Sequence, residues 1–130
     1  AVICTTDNSA ALAVDYGPLL SYLSSLPVSM LFLETCTSRA GELELLTALP
    51  DDYRIGVGVI NQKSSRVESV EQIEASIERA IKLLGAERVL LNPDCGFATF
   101  ADNPITAARV AEAKLSNLAE AAHRMRDKHC

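Results

Sequence analysis

Cysteine and glutamate side chains stand at the ends of three of the four apolar segments in this sequence. Cys4 ends the first segment, Glu34 ends the second with Cys36 two residues later, and Cys95 follows the fourth. Thiolate and carboxylate groups bind zinc, which takes four tetrahedral ligands, or three and one exchangeable position. An open position can hold a substrate thiol as its nucleophilic thiolate. These residue types therefore suggest a zinc site that activates a thiol.

The same residues also have a purely structural interpretation. A cysteine at a strand end is commonly a small buried hydrophobic residue, and Asn92, Pro93 and Asp94 form a run that is typical of a turn. Glu34 could pair with Arg39 or cap the next helix, although an unpaired buried carboxylate is costly. Residue spacing alone leaves both interpretations open.

Four strand-and-helix units would position these residues. The apolar segments at residues 1–4, 30–34, 55–60 and 89–92 are continuous rather than alternating, as in parallel strands that are covered on both faces. A strand–helix succession predicts a parallel α/β sheet with right-handed crossovers. A small doubly wound sheet and one half of an eight-stranded barrel both fit, since a complete barrel needs about 250 residues. We expect residues 1–130 to form a single partial domain.

Helical patterns follow each predicted strand. The first predicted helix spans residues 18–26 and the second spans 39–49. The third begins after Ser69, which forms a capping box with Gln72, and it ends at Gly85.

The fourth predicted helix begins at Asn103 and Pro104, an N-cap followed by proline at the first helical position. It runs to about residue 125. We interpret His123 and His129, which lie on or beyond it, as surface residues and not as metal ligands. Its predicted buried face carries residues at three-and-four spacing: Ile105, Ala108, Ala111, Leu115, Leu118, Ala122 and Met125.

Composition and charge argue against several kinds of partner. A hydrophobic content of 48% with 22% charged residues is that of a globular protein. The net charge of −5 argues against nucleic acid or an anionic membrane as partner. The sequence has no apolar run long enough for a membrane span and opens with no signal-peptide pattern. Four widely spaced cysteines without a C-x-x-C pair are typical of a cytoplasmic protein, which we expect this to be.

Three stretches resemble one known family. NPDCGFATF, IGVGVINQKSSRVESVEQIEASIERAI and RAGELELL after FLET are similar to the C-terminal catalytic barrel of cobalamin-independent methionine synthase, and more closely to short relatives that carry this barrel alone. The resemblance covers nearly the whole chain in order. It implies the C-terminal half of a TIM (β/α)8 barrel.

The resemblance also implies a chemistry. Such enzymes use a catalytic zinc to activate homocysteine, which takes a methyl group from a methyltetrahydrofolate-type donor in methionine biosynthesis. The family zinc pattern is His-x-Cys at one strand end, Glu at the next, and Cys in the final Asn-Pro-Asp-Cys-Gly. The implied metal ligands are therefore Cys4, Glu34 and Cys95.

The sequence departs from the family pattern at two strand ends. Val2 stands where the family has the zinc-binding histidine, and Cys36 is a possible replacement for that ligand. The third strand end reads Asn-Gln-Lys-Ser where the family has Asp-x-His-Ser. Lys63 replaces that histidine and is our candidate catalytic residue, supplying positive charge near the reacting centre. The structural alternative is a solvated loop lysine.

The expected substrates are a small-molecule thiol and a methyl donor. Most of the family's amino-acid and folate contacts would lie on strands before Ala1, and a chain that opens on an apolar strand suggests a piece of something longer. Half a barrel leaves two open sheet edges, so we expect another copy or a complementary half-barrel chain. Two alternatives stay open. One is a degenerate, non-catalytic family member that acts as an interaction partner, and the other is a related zinc-dependent thiol alkyltransferase or lyase.

Overall fold

A parallel sheet forms the centre of the chain. The strands in the order β1-β2-β3 are β1 (Met30–Leu33), β2 (Arg54–Ile60) and β3 (Val89–Pro93). Both pairs are parallel, with Leu31 beside Ile55 and Ile55 beside Val89. This arrangement confirms the predicted α/β class, whereas the strand predicted at residues 1–4 lies outside the described part. The computed structural model describes residues 16–36, 43–100, 103–104 and 106–129.

Helices connect the strands largely as predicted. The elements are a 3-10 turn Gly17–Leu19, α1 (Leu20–Ser24), a 3-10 helix Leu43–Ala48, α2 (Val70–Leu84), a 3-10 turn Ala86–Arg88 and α3 (Ala108–His129). The capping box is present, because Ser69 Oγ accepts from the Gln72 N–H and Gln72 Oε1 accepts from the Ser69 N–H. Gly85 ends α2 at φ 89°, a conformation that side chains disfavour. Across the described residues, no helix is sufficiently long and apolar to span a membrane.

The second predicted helix differs in type. Its described part is the 3-10 helix Leu43–Ala48 rather than an α-helix. Leu43 and Leu46 are its buried residues, and Leu49, directly after the helix, is buried as well. A repeat of three residues places side chains in line on a 3-10 helix, so the exact spacing of the buried leucines accounts for the difference.

The predicted start of the last helix is wrong. Asn103–Pro104 forms a short strand, β5, that pairs antiparallel with β4 (Ala98–Phe100), and α3 begins only at Ala108. Proline disfavours the helical conformation in the residue before it, and a short edge strand tolerates a proline that has no N–H to donate.

The predicted buried face of that helix is also wrong in part. Met125 is buried as predicted, but Leu115 is 44% exposed and Ala108 is also exposed, and Ile105 lies outside the described residues. Lys114 and Ala121, which were not in the predicted face, are buried. The face turns toward Lys114 because its ammonium bonds to Glu68 and to backbone carbonyls, as described below. Helical periodicity cannot detect that partner, which lies 46 residues away.

The core lies on one face of the sheet. Ile55, Val57 and Val59 of β2 are buried together with Ile73 and Ile77 of α2. Phe32 of β1, by contrast, is 59% exposed. Among the described residues, α2 and α3 pack on the sheet from one side, as in part of a (β/α) barrel.

Candidate metal and thiol site

A carboxylate joins the ends of two strands that are not neighbours. Asp94 follows β3, and its Oδ1 accepts hydrogen bonds from the Thr35 N–H at 2.9 Å and the Cys36 N–H at 3.0 Å. Thr35 and Cys36 follow β1, which is separated from β3 by β2. The segments after β1 and β3 are therefore connected across the end of the central strand. We call this connection the Asp94 bridge.

Gly58 of β2 makes the Asp94 bridge possible. The Thr35 hydroxyl donates to the Gly58 carbonyl at 2.7 Å, so the bridge lies directly against β2. A Cβ atom at position 58 would overlap Asp94 Oδ1 and would lie 3.1 Å from the Thr35 nitrogen. Glycine leaves room for this close approach.

The surroundings of Asp94 raise the pKa of its carboxyl group above the usual value. Burial raises the pKa of Asp94 to about 6, and the negative charge of Glu34 adds to that rise. The hydrogen bonds from the Thr35 and Cys36 amides, and the positive charge of Lys63, oppose the rise in pKa. Above that pKa the group is a carboxylate that accepts both amide hydrogens. Glu34 and Lys63 therefore lie near enough to Asp94 for their charges to act on its carboxyl.

Glu34 is fixed through its backbone by Tyr16. The Tyr16 hydroxyl donates to the Glu34 carbonyl and accepts from the Glu34 N–H, both at 3.0 Å. Burial raises the pKa of Tyr16 to about 12, so the hydroxyl keeps the proton that it donates. The residue that carries the candidate carboxylate ligand is thus held on both sides, by Tyr16 and by the Asp94 bridge.

Cys36 takes part in the Asp94 bridge through its N–H, Cys95 is next to the bridge in sequence, and neither cysteine forms a disulfide. Cys95 directly follows Asp94 and is partly exposed. Cys36 lines a pocket with Glu68 and with Ile73 of α2. Burial of its thiol, and then the negative charges of Asp94 and Glu68, raise the pKa of Cys36. The Cys36 thiol therefore favours its protonated form.

Lys63 lies in the loop that follows β2, residues 61–68. Its backbone N–H donates to Asn61 Oδ1 at 3.0 Å. Its positive charge acts on Asp94, as the pKa of that carboxyl shows. The predicted catalytic lysine thus belongs to the same end of the sheet as Glu34 and Cys95.

The complete predicted ligand set extends beyond the part of the chain that the structure describes. Cys4 and Val2 lie outside it, and the ligand set of Cys4, Glu34 and Cys95 stays a prediction. Within residues 16–36, 43–100, 103–104 and 106–129, no three His, Cys, Asp or Glu side chains form a group that could hold a metal ion. The two described members, Glu34 and Cys95, are the sequence neighbours of Thr35 and Asp94, which are in direct contact.

The two histidines lie outside this site, as predicted. His123 is exposed and stands 3.7 Å from Asp127, and His129 stands 3.0 Å from Glu78. Both pairs belong to the surface near the end of α3.

Two structural residues of the site were not recognised from the sequence. Asp94 was interpreted as part of a turn, whereas it forms the bridge, and Tyr16 was not considered. A signal for the bridge exists in the segment IGVGVI, which places Gly56 and Gly58 on one face of β2. Two glycines on one face of a strand indicate that other atoms approach it closely.

The fold and the site define a class of protein: a segment of a (β/α) barrel whose polar residues gather at the C-terminal ends of its parallel strands, where barrel enzymes carry their active sites. Comparison with solved structures supports the fold. A B12-independent methionine synthase from Shewanella sp. W3-18-1, in complex with selenomethionine, superposes with a TM-score of 0.75 at 21% identity. The match covers 87% of this chain and 31% of that chain.

The sequence comparisons identify the family. The family described as "Cobalamin-independent synthase, Catalytic domain" matches residues 10–124. Proteins named 5-methyltetrahydropteroyltriglutamate--homocysteine methyltransferase are 31% identical over 115 residues in Acidithiobacillus ferrooxidans and 33% identical over 112 residues in Rhodococcus jostii. These alignments cover 88% and 86% of this chain but only 14% of each relative. The chain belongs to the cobalamin-independent methionine synthase family and spans about one seventh of the length of these relatives.

Proposed function

We propose that this chain supplies zinc-binding strand ends to a methyltransferase that acts on a thiol. The thiol is homocysteine, and the donor is a methyltetrahydrofolate-type compound, as in the names of the relatives. The observation that carries the proposal is the Asp94 bridge, because it connects the residues next to Glu34 and Cys95 across β2. Membership of the family supports the same chemistry.

The donor types of the site fit zinc. A carboxylate from Glu34 and thiolates from Cys95 and Cys4 would hold the ion, and the fourth position would take the substrate sulfur. When bound, zinc would lower the pKa of that thiol and keep it as the nucleophilic thiolate. Cys36 is left out of the proposed set, because it lines the pocket beside α2.

The other residues of the site act on position and charge. Tyr16 and Asp94 form hydrogen bonds to the backbone at Glu34 and Thr35. These bonds fix the position of the Cα atom from which the Glu34 side chain extends. Lys63 adds positive charge at the same strand ends, where a thiolate and a carboxylate bring negative charge. Both effects serve electrostatic preorganisation of the reacting centre.

We further propose that a complementary half barrel covers the inner face of the sheet. The exposed Phe32 supports this proposal, as do the greater lengths of the matched relatives. The complementary half would supply most of the contacts to the amino acid and the donor. We expect the complete enzyme to work in the cytoplasm, with small molecules as its substrates.

The zinc content of purified variants tests the proposed ligands. Cys95→Ser removes a thiolate and Glu34→Gln removes the negative charge of a carboxylate, and each should weaken zinc binding by at least about tenfold. The matched controls are Cys130→Ser and Glu87→Gln, which change the same residue types outside the proposed ligand set. Elemental analysis after dialysis against a competing chelator measures the difference. Retention of zinc by both ligand variants at the level of the controls would contradict the proposal.

The alternative function is that of a non-catalytic family member. The valine at position 2, where the family has histidine, favours this alternative. A methyl-transfer assay with homocysteine separates the two, because zinc-dependent formation of methionine by the full-length protein excludes a purely structural role. A related alkylation or lyase reaction would instead appear as turnover of other thiols by a zinc-loaded protein.

A further inference from the structure

A buried cation holds the loop that carries Lys63. Lys114 of α3 has 0% of its side chain exposed, and its Nζ stands 2.7 Å from Glu68 Oε2. The same Nζ donates to the carbonyls of Asn61 and Arg66. All three acceptors belong to the single loop of residues 61–68, so one ammonium group connects its two ends.

Glu68 completes this connection from within the loop. Its Oε1 accepts from the Asn61 N–H at 3.0 Å while its Oε2 accepts from Lys114. The Glu68 carbonyl accepts from Asn117 Nδ2 at 2.8 Å, which adds a second contact to α3. Asn61 is therefore held at both its N–H and its carbonyl.

The restraint passes from Asn61 to Lys63. The Asn61 side-chain oxygen accepts from the Lys63 N–H, and the Asn61 carbonyl accepts from the Ser64 N–H at 3.3 Å. The backbone at Lys63 is thus held by Asn61, and Asn61 in turn is held by hydrogen bonds to Glu68 and Lys114. The Lys114 side chain is fully buried and that of Glu68 is 20% exposed. Burial of charged groups costs free energy, and an apolar side chain at position 114 would have no donor for these carbonyls.

We propose that Lys114, paired with Glu68, is a positioning residue that fixes the loop after β2 and thereby sets the place of Lys63 at the strand ends. The inference rests on the proposed function in so far as Lys63 serves methyl transfer. Lys114 lies under the loop and acts only through it.

Two variants and one matched control test the inference. Lys114→Met alone leaves the partly buried Glu68 carboxylate without its cation, so folding can fail. Lys114→Met with Glu68→Gln removes both charges and keeps the volume. Arg88→Met is the control, because Arg88 is another largely buried cation that donates to backbone carbonyls, those of Pro50 and Tyr53.

Amide hydrogen exchange gives a readout that needs no enzymatic activity. We expect the Lys114→Met, Glu68→Gln variant to lose at least about tenfold of the protection of the Asn61 and Lys63 amides, since both hydrogen bonds depend on the held loop. The Arg88→Met control should leave these two amides unchanged. Full protection of both amides in the paired variant would overturn the inference.

Kinetics on the full-length, zinc-loaded protein then separate positioning from plain stabilisation. Lys114→Met with Glu68→Gln should lower kcat about tenfold in the parent protein. In a protein that already carries Lys63→Met it should lower kcat less than about threefold, because the contribution of Lys63 to catalysis is then already lost. Arg88→Met should change kcat equally in both backgrounds. Equal losses from the paired variant in both backgrounds would overturn the positioning role. A parent protein without methyl transfer would overturn the proposed function instead, and the exchange data tell the two failures apart.

Discussion

Lys114 and Gln62 show two different ways to bury a polar side chain. Lys114 is fully buried and satisfies its ammonium with Glu68 and two carbonyls. Gln62 is 1% exposed, and neither Nε2 nor Oε1 of its side chain has a hydrogen-bond partner among the described residues. Its backbone carbonyl, by contrast, accepts from the Thr106 hydroxyl. Buried polar atoms without partners cost free energy.

Replacement of Gln62 by an apolar residue of equal length should therefore stabilise the protein. We expect Gln62→Met to raise the free energy of unfolding by about 1–2 kcal/mol, because it removes two buried polar atoms at nearly constant volume. Urea denaturation measures the change.

A second glutamine provides the matched control. Gln72→Met should lower the free energy of unfolding by about 0.5–1 kcal/mol, since Gln72 Oε1 accepts from the Ser69 N–H in the capping box. A loss of stability in Gln62→Met as large as that of the control would contradict the interpretation of Gln62.

At the scale of elements, the Asp94 bridge depends on the shape of β2. The strand passes beneath the contact between Asp94 and Thr35, and only a residue without a side chain fits at position 58. The bridge and the central strand are thus one structural unit, in which a backbone position determines a contact between two loops.

Gly58→Ala should break this unit. We expect a loss of about 1–3 kcal/mol in the free energy of unfolding, because the new methyl group overlaps Asp94. Amide exchange should also show loss of protection at Thr35 and Cys36, whose N–H groups donate to Asp94.

Gly96→Ala is the control for that substitution. A Cβ at position 96 would meet its nearest atom, the Ala98 carbonyl oxygen, at an ordinary 3.8 Å. The free energy of unfolding of the Gly96→Ala variant should stay within about 0.5 kcal/mol of that of the parent protein. If Gly58→Ala is as stable as Gly96→Ala, the Asp94 bridge does not depend on the absence of a side chain at position 58.

The elements that could be predicted from sequence are those specified locally. The Ser69–Gln72 capping box and the Gly85 terminus of α2 were predicted and confirmed, because the interacting residues lie within one or two turns of helix. The start of α3 was not predicted correctly, because Asn103–Pro104 pairs with the strand β4. The burial of Lys114 was also missed, because Glu68 lies in a different element. Non-local partners leave no periodic signal.

The candidate site likewise has features that the sequence predicts and features that depend on non-local contacts. The sequence could place Glu34, Lys63 and Cys95 after strands, and the parallel sheet brings their strand ends to one edge. It could not show the Asp94 bridge, because Asp94 and Thr35 are 59 residues apart and the contact depends on their common approach to Gly58. The ligand assignment itself came from the family resemblance and stays a prediction.

Within the part of the chain that the structure describes, one face of the sheet is covered by helices, and the other is exposed at β1. Helices pack on the face that carries Ile55 and Val57, whereas Met30 and Phe32 of β1 are 40% and 59% exposed. A Cβ at Gly56 would overlap Phe32 and approach Asn92, so these two side chains share the open face. In a closed barrel this inner face is filled by side chains from the other strands.

Phe32→Asp should therefore weaken association with the proposed complementary half barrel. A buried, unpaired carboxylate in that interior would be costly, and we expect at least about a tenfold rise in the dissociation constant of the two halves when they are prepared as separate chains. Light scattering after size-exclusion chromatography measures the complex.

Tyr22→Asp is the control, because Tyr22 of α1 is similarly exposed at 63% but lies outside the sheet. It should leave association unchanged. A complex that is equally strong with Phe32→Asp would show that the open face is not the surface that the other half covers.

The crowding at Gly58 also limits how this protein can change over evolutionary time. A methyl group at position 58 is incompatible with the present carboxylate at position 94, but a serine or glycine at 94 would vacate the space. The two positions are therefore expected to drift as a pair among relatives. A lineage that loses the glycine first would pass through a destabilised ancestor, whereas one that loses the aspartate first would give up the hydrogen bonds to Thr35 and Cys36.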